Sequence, residues 1–112
     1  MESVITLEIC RGDNPSQVTL RSDGTAELRA PGQALKQQRV EPGDVLALLD
    51  RMLAMQFFEQ RDVLDRGMTR HAQSFRIMLT HGGREHSVHF DGNRFAAELQ
   101  NLASAIQAVA GF

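Results

Sequence analysis

The sequence contains no tryptophan and no tyrosine. Stacking platforms for sugars or nucleobases are therefore not expected. Cys10 is the single cysteine, so no internal disulfide can form. That fits a reducing compartment. Positive charge is not in excess: 12 lysines and arginines stand against 14 acidic residues, a net charge of −2. Such a chain has no surplus to neutralise phosphates, which argues against nucleic acid as a partner. No run approaches the ~18 apolar residues of a membrane helix, which argues against a membrane. The opening MESVITLEIC alternates apolar and polar positions, unlike the basic start and apolar stretch of a secretory signal. The expected location is the cytoplasm, or the periplasm or exterior if an export signal has been removed.

What is present suits one domain, residues 1–112. A chain of this length buries about two thirds of its unfolded surface, enough for a core without staples. With 42% hydrophobic and 23% charged residues, the balance is globular rather than that of a disordered chain, a collagen or a coiled-coil rod.

Ile5, Leu7 and Ile9 alternate with Thr6 and Glu8, which predicts a strand over 4–10. Arg11-Gly12-Asp13-Asn14-Pro15 carries loop chemistry, so a loop over 11–17 is expected. Residues 17–21 and 25–29 flank Ser22-Asp23-Gly24. A three-residue loop there pairs Leu20 with Ala26 and Val18 with Leu28, and puts Gly24 where a left-handed residue is needed. Residues 35–40 read as a short edge strand. Pro42 suits a first helical position. Val45, Leu48, Leu49 and Met52 form the stripe of that helix, with Leu46 and Leu53 widening it. Met55, Phe57 and Phe58 close its end onto the core. Residues 59–74 are the longest polar stretch and read as a loop, with Val63, Leu64 and Met68 to pin it.

A Gly82-Gly83 turn pairs Phe75 with Phe90, Ile77 with Val88 and Leu79 with His86 on one face. The same register pairs Arg76 with His89, Met78 with Ser87 and Thr80 with Glu85 on the other. A last helix follows Asn93 as N-cap, with Phe95, Leu99, Leu102, Ile106 and Val109 as its stripe. The predicted fold is α+β: an antiparallel sheet of about five strands in strand, hairpin, helix, hairpin, helix order, with both helices on one face. The other sheet face carries Thr6, Glu8, Thr19, Arg21, Glu27, Arg29, Arg76, Met78, Ser87 and His89, and is open to water or to a partner.

Constellations for chemistry are sparse. His71, His81, His86 and His89 cluster in sequence, but a metal site needs three or four converging ligands. His86 and His89 are three apart in a strand and point to opposite faces. The acidic residues are scattered among arginines, without the paired carboxylates of acid–base catalysis. No nucleophile elbow, phosphate loop or HExxH motif occurs. Cys10 lacks a histidine near in sequence and reads as structural. Arg11-Gly12-Asp13 spells an integrin-binding tripeptide, but so short a match arises by chance, and Gly12 and Asp13 read as turn residues. No catalytic, cofactor or metal residues are assigned, and no cofactor is expected.

Two resemblances come from longer stretches. Cys10-Arg11-Gly12-Asp13-Asn14-Pro15, Val18-Thr19-Leu20 and Asp23-Gly24-Thr25 resemble an uncharacterised family of small bacterial domains. Its members carry Cys-x-Gly-x-Cys-Pro, then a Val-x-Ile-type strand, then Asp-Gly. Asn14 stands where that family has its second cysteine. Phe57-Phe58, the Gly-Gly hairpin and the final helix ending Ala110-Gly111 fit the same pattern. Phe57-Phe58, residues 75–80 and Gly82-Gly83-Arg84-Glu85-His86-Ser87-Val88 are similar to the emfourin-like inhibitors of thermolysin-type metalloproteases. That family's Ser-Gly-Gly-Phe-Ala-Gly stretch is absent, so no inhibitory residue is carried over.

The expected function is that of a small non-catalytic module that binds another protein. Its contacts are the open sheet face and loops 11–17 and 59–74, through Arg11, Asp13, Asn14, Arg21, Arg29, Arg61, Asp62, Asp65, Arg66, Arg70, Arg76 and His89. The alternatives are a proteinaceous metalloprotease inhibitor, an enzyme or metal-binding protein using His71, His81 or His89, and a structural homo-oligomer joined through the sheet edge or polar face.

Overall fold

The alternation that predicts strands here is realised in one antiparallel sheet. The computed structural model describes residues 3–11, 14–63, 74–92 and 94–111. β1 (Val4–Arg11), β2 (Asn14–Arg21), β3 (Thr25–Arg29) and β4 (Lys36–Arg39) lead into α1 (Pro42–Ala54); β5 (Ser74–His81), β6 (Arg84–Asp91) and α2 (Ala97–Ala110) follow. The strand order is β4-β3-β2-β1-β5-β6. β1 lies inside the sheet, pairing β2 on one side and β5 on the other.

The helices cover one face only. Ile5, Leu7, Val18, Leu20, Ala26, Ile77, Leu79, Val88 and Phe90 of the sheet form one buried cluster. Val45, Leu48, Leu49 and Met52 of α1 join it, as do Leu99, Leu102, Ala103, Ile106 and Ala110 of α2. Each large side chain among them contributes about 1.5–3 kcal/mol by leaving water. Phe57 is fully buried at the end of α1, with Met55 and Phe58 half-buried beside it.

Both hairpin registers agree with the expected ones. Leu20 faces Ala26 and Val18 faces Leu28, and Gly24 has φ +93°. In the second hairpin every expected pair from Phe75–Phe90 to Thr80–Glu85 is found. Gly82 and Gly83 both have positive φ, as the mirror-image turn requires.

Five expectations are corrected. The sheet has six strands rather than about five, because the short edge strand expected over 35–40 is realised at Lys36–Arg39 beside β3 and adds to the count. No loop spans 11–17: β1 runs to Arg11 and β2 starts at Asn14, with Cys10 opposite Pro15. Ladder hydrogen bonding to two neighbours carries β1 past its loop-like composition. Asn93 does not cap α2, since a 3₁₀ turn at Arg94–Ala96 intervenes and Ala96 precedes the helix without a side-chain cap; Asn93 itself lies outside the described residues. That turn also removes Phe95 from the stripe. At three residues per turn the 3.6 periodicity fails, and Phe95 is 75% exposed. Finally, Leu46 and Leu53 do not widen the buried stripe of α1 but stand exposed, because the helix buries only the i, i+3, i+4, i+7 set.

Candidate functional site

The face of the sheet that no described helix covers gathers four of the sequence-derived contact residues. Pairing places Arg29, Gln17, Glu8, Arg76 and His89 side by side on β3, β2, β1, β5 and β6. The adjacent row reads Gln37, Glu27, Thr19, Thr6, Met78 and Ser87 across all six strands. A third row holds Arg21, Val4, Thr80 and Glu85. Thr6 is only 6% exposed although no described helix lies over it, because Thr19 and Met78 wall it in on either side. Most of the other residues on this face are half-buried in the same way, and Arg29, Gln37, Glu85 and Ser87 are open. Arg21 Nε approaches Glu27 Oε1 at 3.8 Å, and Gln37 Nε2 donates to the same oxygen at 3.3 Å.

Four of the expected contact residues, Arg21, Arg29, Arg76 and His89, thus share one face. Arg61 and Asp62 lie at its margin, both exposed. The Asp62 carboxylate accepts the backbone N–H of His89 at 2.9 Å. Val63 then pairs in parallel with Phe90, its N–H donating to His89 C=O and its own C=O accepting from Asp91. Val63 therefore does pin the start of the long polar stretch. The Arg11 and Asn14 backbones pair at the β1–β2 end. Asp13, Asp65, Arg66 and Arg70 lie outside the described residues, as do Leu64, Met68 and His71.

The described histidines do not converge. His81 Nδ1 lies 2.7 Å from Ser3 Oγ. His86 is on the helix-side face, 2.7 Å from the Gln60 carbonyl through Nε2. A carbonyl only accepts, so Nε2 carries the proton. The His86 ring also meets Phe57 edge-on at 5.7 Å. His89 faces the opposite side of the sheet. Among the described residues no group of three His, Cys, Asp or Glu side chains gathers to hold a metal.

Two shallow depressions are present among the described residues. One, near 170 Å³, is lined by Leu53, Gln56, Phe57, Phe58, Glu59 and Arg84, with the Arg84 guanidinium 4.2 Å over the Phe58 ring. The other, near 220 Å³, lies between the sheet and the end of α2 at Ile9, Ser16, Val18, Leu28, Gln107 and Ala110. Both fall below the ~300 Å³ at which small-molecule sites begin, so each has room for a side chain of a partner. Burial pushes the Cys10 thiol up, and the neighbouring Glu8 carboxylate, 3.3 Å away and accepting its S–H, adds to this. That is the opposite of what an activated nucleophile needs.

Sequence reasoning leaves out Lys36 and Arg39. Both are exposed on β4, Arg39 at the rim of this face and Lys36 on the helix side. The signal for them is a short polar run with flanking cations, the usual dress of an edge strand. No helix among the described residues is long and apolar enough to cross a membrane. Neither the protein-family models nor the curated proteins contain a match to the chain.

Proposed function

We propose that the chain is a small non-catalytic module that binds another protein through the open face of its sheet. The observation that carries this reading is the continuous polar ladder from Arg29 through Glu8 and Arg76 to His89, which no part of the described chain covers. The face is about 24 Å across six strands at ~4.8 Å spacing, and an eight-residue strand is roughly 27 Å long. Its area is of the same order as the ~800 Å² that each partner contributes to a standard interface. The depressions, by contrast, hold no more than a side chain. Rigid strands present the charges in fixed register, which favours selectivity over bulk hydrophobic association.

The test is affinity capture from source cells with the native chain and with an Arg76→Glu, Thr19→Arg variant. Both substitutions lie on the open face, so the variant is expected to keep the native circular dichroism spectrum. A stoichiometric protein retained by the native chain and lost with the variant supports the reading. Equal retention by both chains places the contact elsewhere and overturns it.

A further inference from the structure

The two edges of the sheet are not equivalent. The outer edge of β6 is closed over His89–Asp91 by Asp62 and Val63. β4, at the other edge, has all four residues exposed. Its pairing determines which backbone groups face out. Val40 N–H donates to Gly24 C=O at 2.8 Å, and backbone direction alternates along an antiparallel strand. Gln38 therefore turns its peptide groups toward β3, while Gln37 and Arg39 turn theirs to solvent. The strand is held extended from within as well, because Gln38 Nε2 donates to the Ala110 carbonyl at the end of α2. An extended edge that no described segment pairs with is a template for another strand.

Charge selects what can use it. The two charged residues of β4 are Lys36 and Arg39, both positive, and neither makes an ion pair among the described residues. Asp23, the acid that feels Arg39, is itself engaged by the Thr25 N–H at 2.9 Å. Two copies of β4 paired antiparallel about Arg39 through these outward groups would set Arg39 opposite Arg39. Like charges directly opposite are destabilising, so that register is disfavoured, whereas an acidic strand gives both cations a partner. Positions three apart lie on opposite faces of a strand. A complementary segment must therefore carry its acidic residues three apart too.

We propose that β4 is a docking edge for an extended acidic segment of a partner protein. The segment adds to the sheet as a further strand through the outward peptide groups of Gln37 and Arg39. One of its carboxylates meets Arg39 on the open face, and another, three residues on, meets Lys36 on the helix side. This rests on the reading of the chain as a protein-binding module and supplies the chemistry of its partner.

The experiment is a titration of the full ¹⁵N-labelled chain with the peptide acetyl-Thr-Val-Glu-Val-Thr-Glu-Val-Thr-amide, followed by amide shifts and hydrogen exchange. The expected result is shifts centred on β4, with exchange slowed at the Gln37 and Arg39 amides. A version with the glutamates two apart should bind about two- to fivefold more weakly, and one with lysines in their place about tenfold more weakly or worse. The exposed double variant Lys36→Glu, Arg39→Glu should invert the preference and take the lysine peptide. Binding that ignores spacing or survives the charge reversal overturns the proposal, as does silence at β4 up to about 1 mM peptide. Shifts confined to Arg76 and His89 overturn the edge while leaving the binding-module reading standing. Loss of that broader reading is seen separately, in the capture experiment with the open-face variant.

Discussion

Gly24 is the position at which one added methyl group should do most harm. It closes the β2–β3 hairpin with φ +93°, a region that costs an L-residue about 1–2 kcal/mol. It is also buried against the start of α1. A Cβ built there lies 2.8 Å from the Val40 carbonyl oxygen and 3.0 Å from Pro42 Cγ. The carbonyl belongs to backbone held by the Val40 N–H bond to Gly24 C=O, so it cannot swing aside as a side-chain tip would. Relieving the clash means loosening that bond, at a net cost of about 1 kcal/mol, and disturbing the packing of Pro42. Gly24→Ala should therefore destabilise by roughly 2–4 kcal/mol. Gly83→Ala is the control: φ is +77° but nothing lies within 4 Å of the new Cβ. It should show only the backbone cost of about 1–2 kcal/mol. At about 4 °C per kcal/mol for a domain of this size, Tm should fall by roughly 8–16 °C for Gly24→Ala and by about 4–8 °C for Gly83→Ala. With no tryptophan or tyrosine, the assay is thermal and urea unfolding by far-ultraviolet circular dichroism. Equal losses for the two variants would refute the close approach of the hairpin to residues 40–42.

Gln56 holds φ +57° just beyond α1, where glycine is favoured. Gln56→Gly should raise stability by up to about 1 kcal/mol, seen as a higher urea midpoint; a lower one would mean the side chain supplies more than the strain removes. Ile77→Asp and Leu102→Asp, at fully buried positions, should each unfold the chain, whereas Met78→Asp on the open face should leave the circular dichroism spectrum native. Destabilisation by Met78→Asp alone would show that this face is covered. Cys10 should react with iodoacetamide more slowly than a free cysteine at pH 8, and its rate should rise only above the usual thiol value of 9.0; Glu8→Gln should speed it, and fast native alkylation would contradict the half-buried, acid-flanked thiol. The hydrogen bond from Thr25 holds the Asp23 carboxyl below its usual 3.8. Its support for the turn is therefore present above that pH and is lost as pH falls through the lower folded value. An NMR titration in which the Thr25 amide shift follows a midpoint at or above 3.8 would exclude it.

Local pattern was enough for much of this architecture. Period-two alternation, the Asp-Gly and Gly-Gly turns and the heptad-like stripe of residues 45–52 are properties of neighbouring residues, so both hairpin registers and α1 could be read directly. The open-face positions of Arg21, Arg29, Arg76 and His89 followed from the same parity, because a strand that buries one side must show the other. Which hairpin lies beside β1 was not local, since β1 and β5 are joined only by pairing across more than sixty residues of sequence. Tertiary contact completed β4: its Lys-Gln-Gln-Arg has no apolar alternation, and the edge strand expected over 35–40 is held at Lys36–Arg39 by the edge of β3 and the Ala110 carbonyl of α2. It likewise kept β1 and β2 extended to Arg11 and Asn14, and turned Phe95 out of the core through a 3₁₀ turn that a 3.6-residue period cannot anticipate. The sequence by itself determined which side of each element faces the core, because water repels apolar side chains wherever they stand. Only the tertiary structure decided where the sheet ends, and so which edge is left open, because an unpaired backbone is defined by the neighbours it lacks.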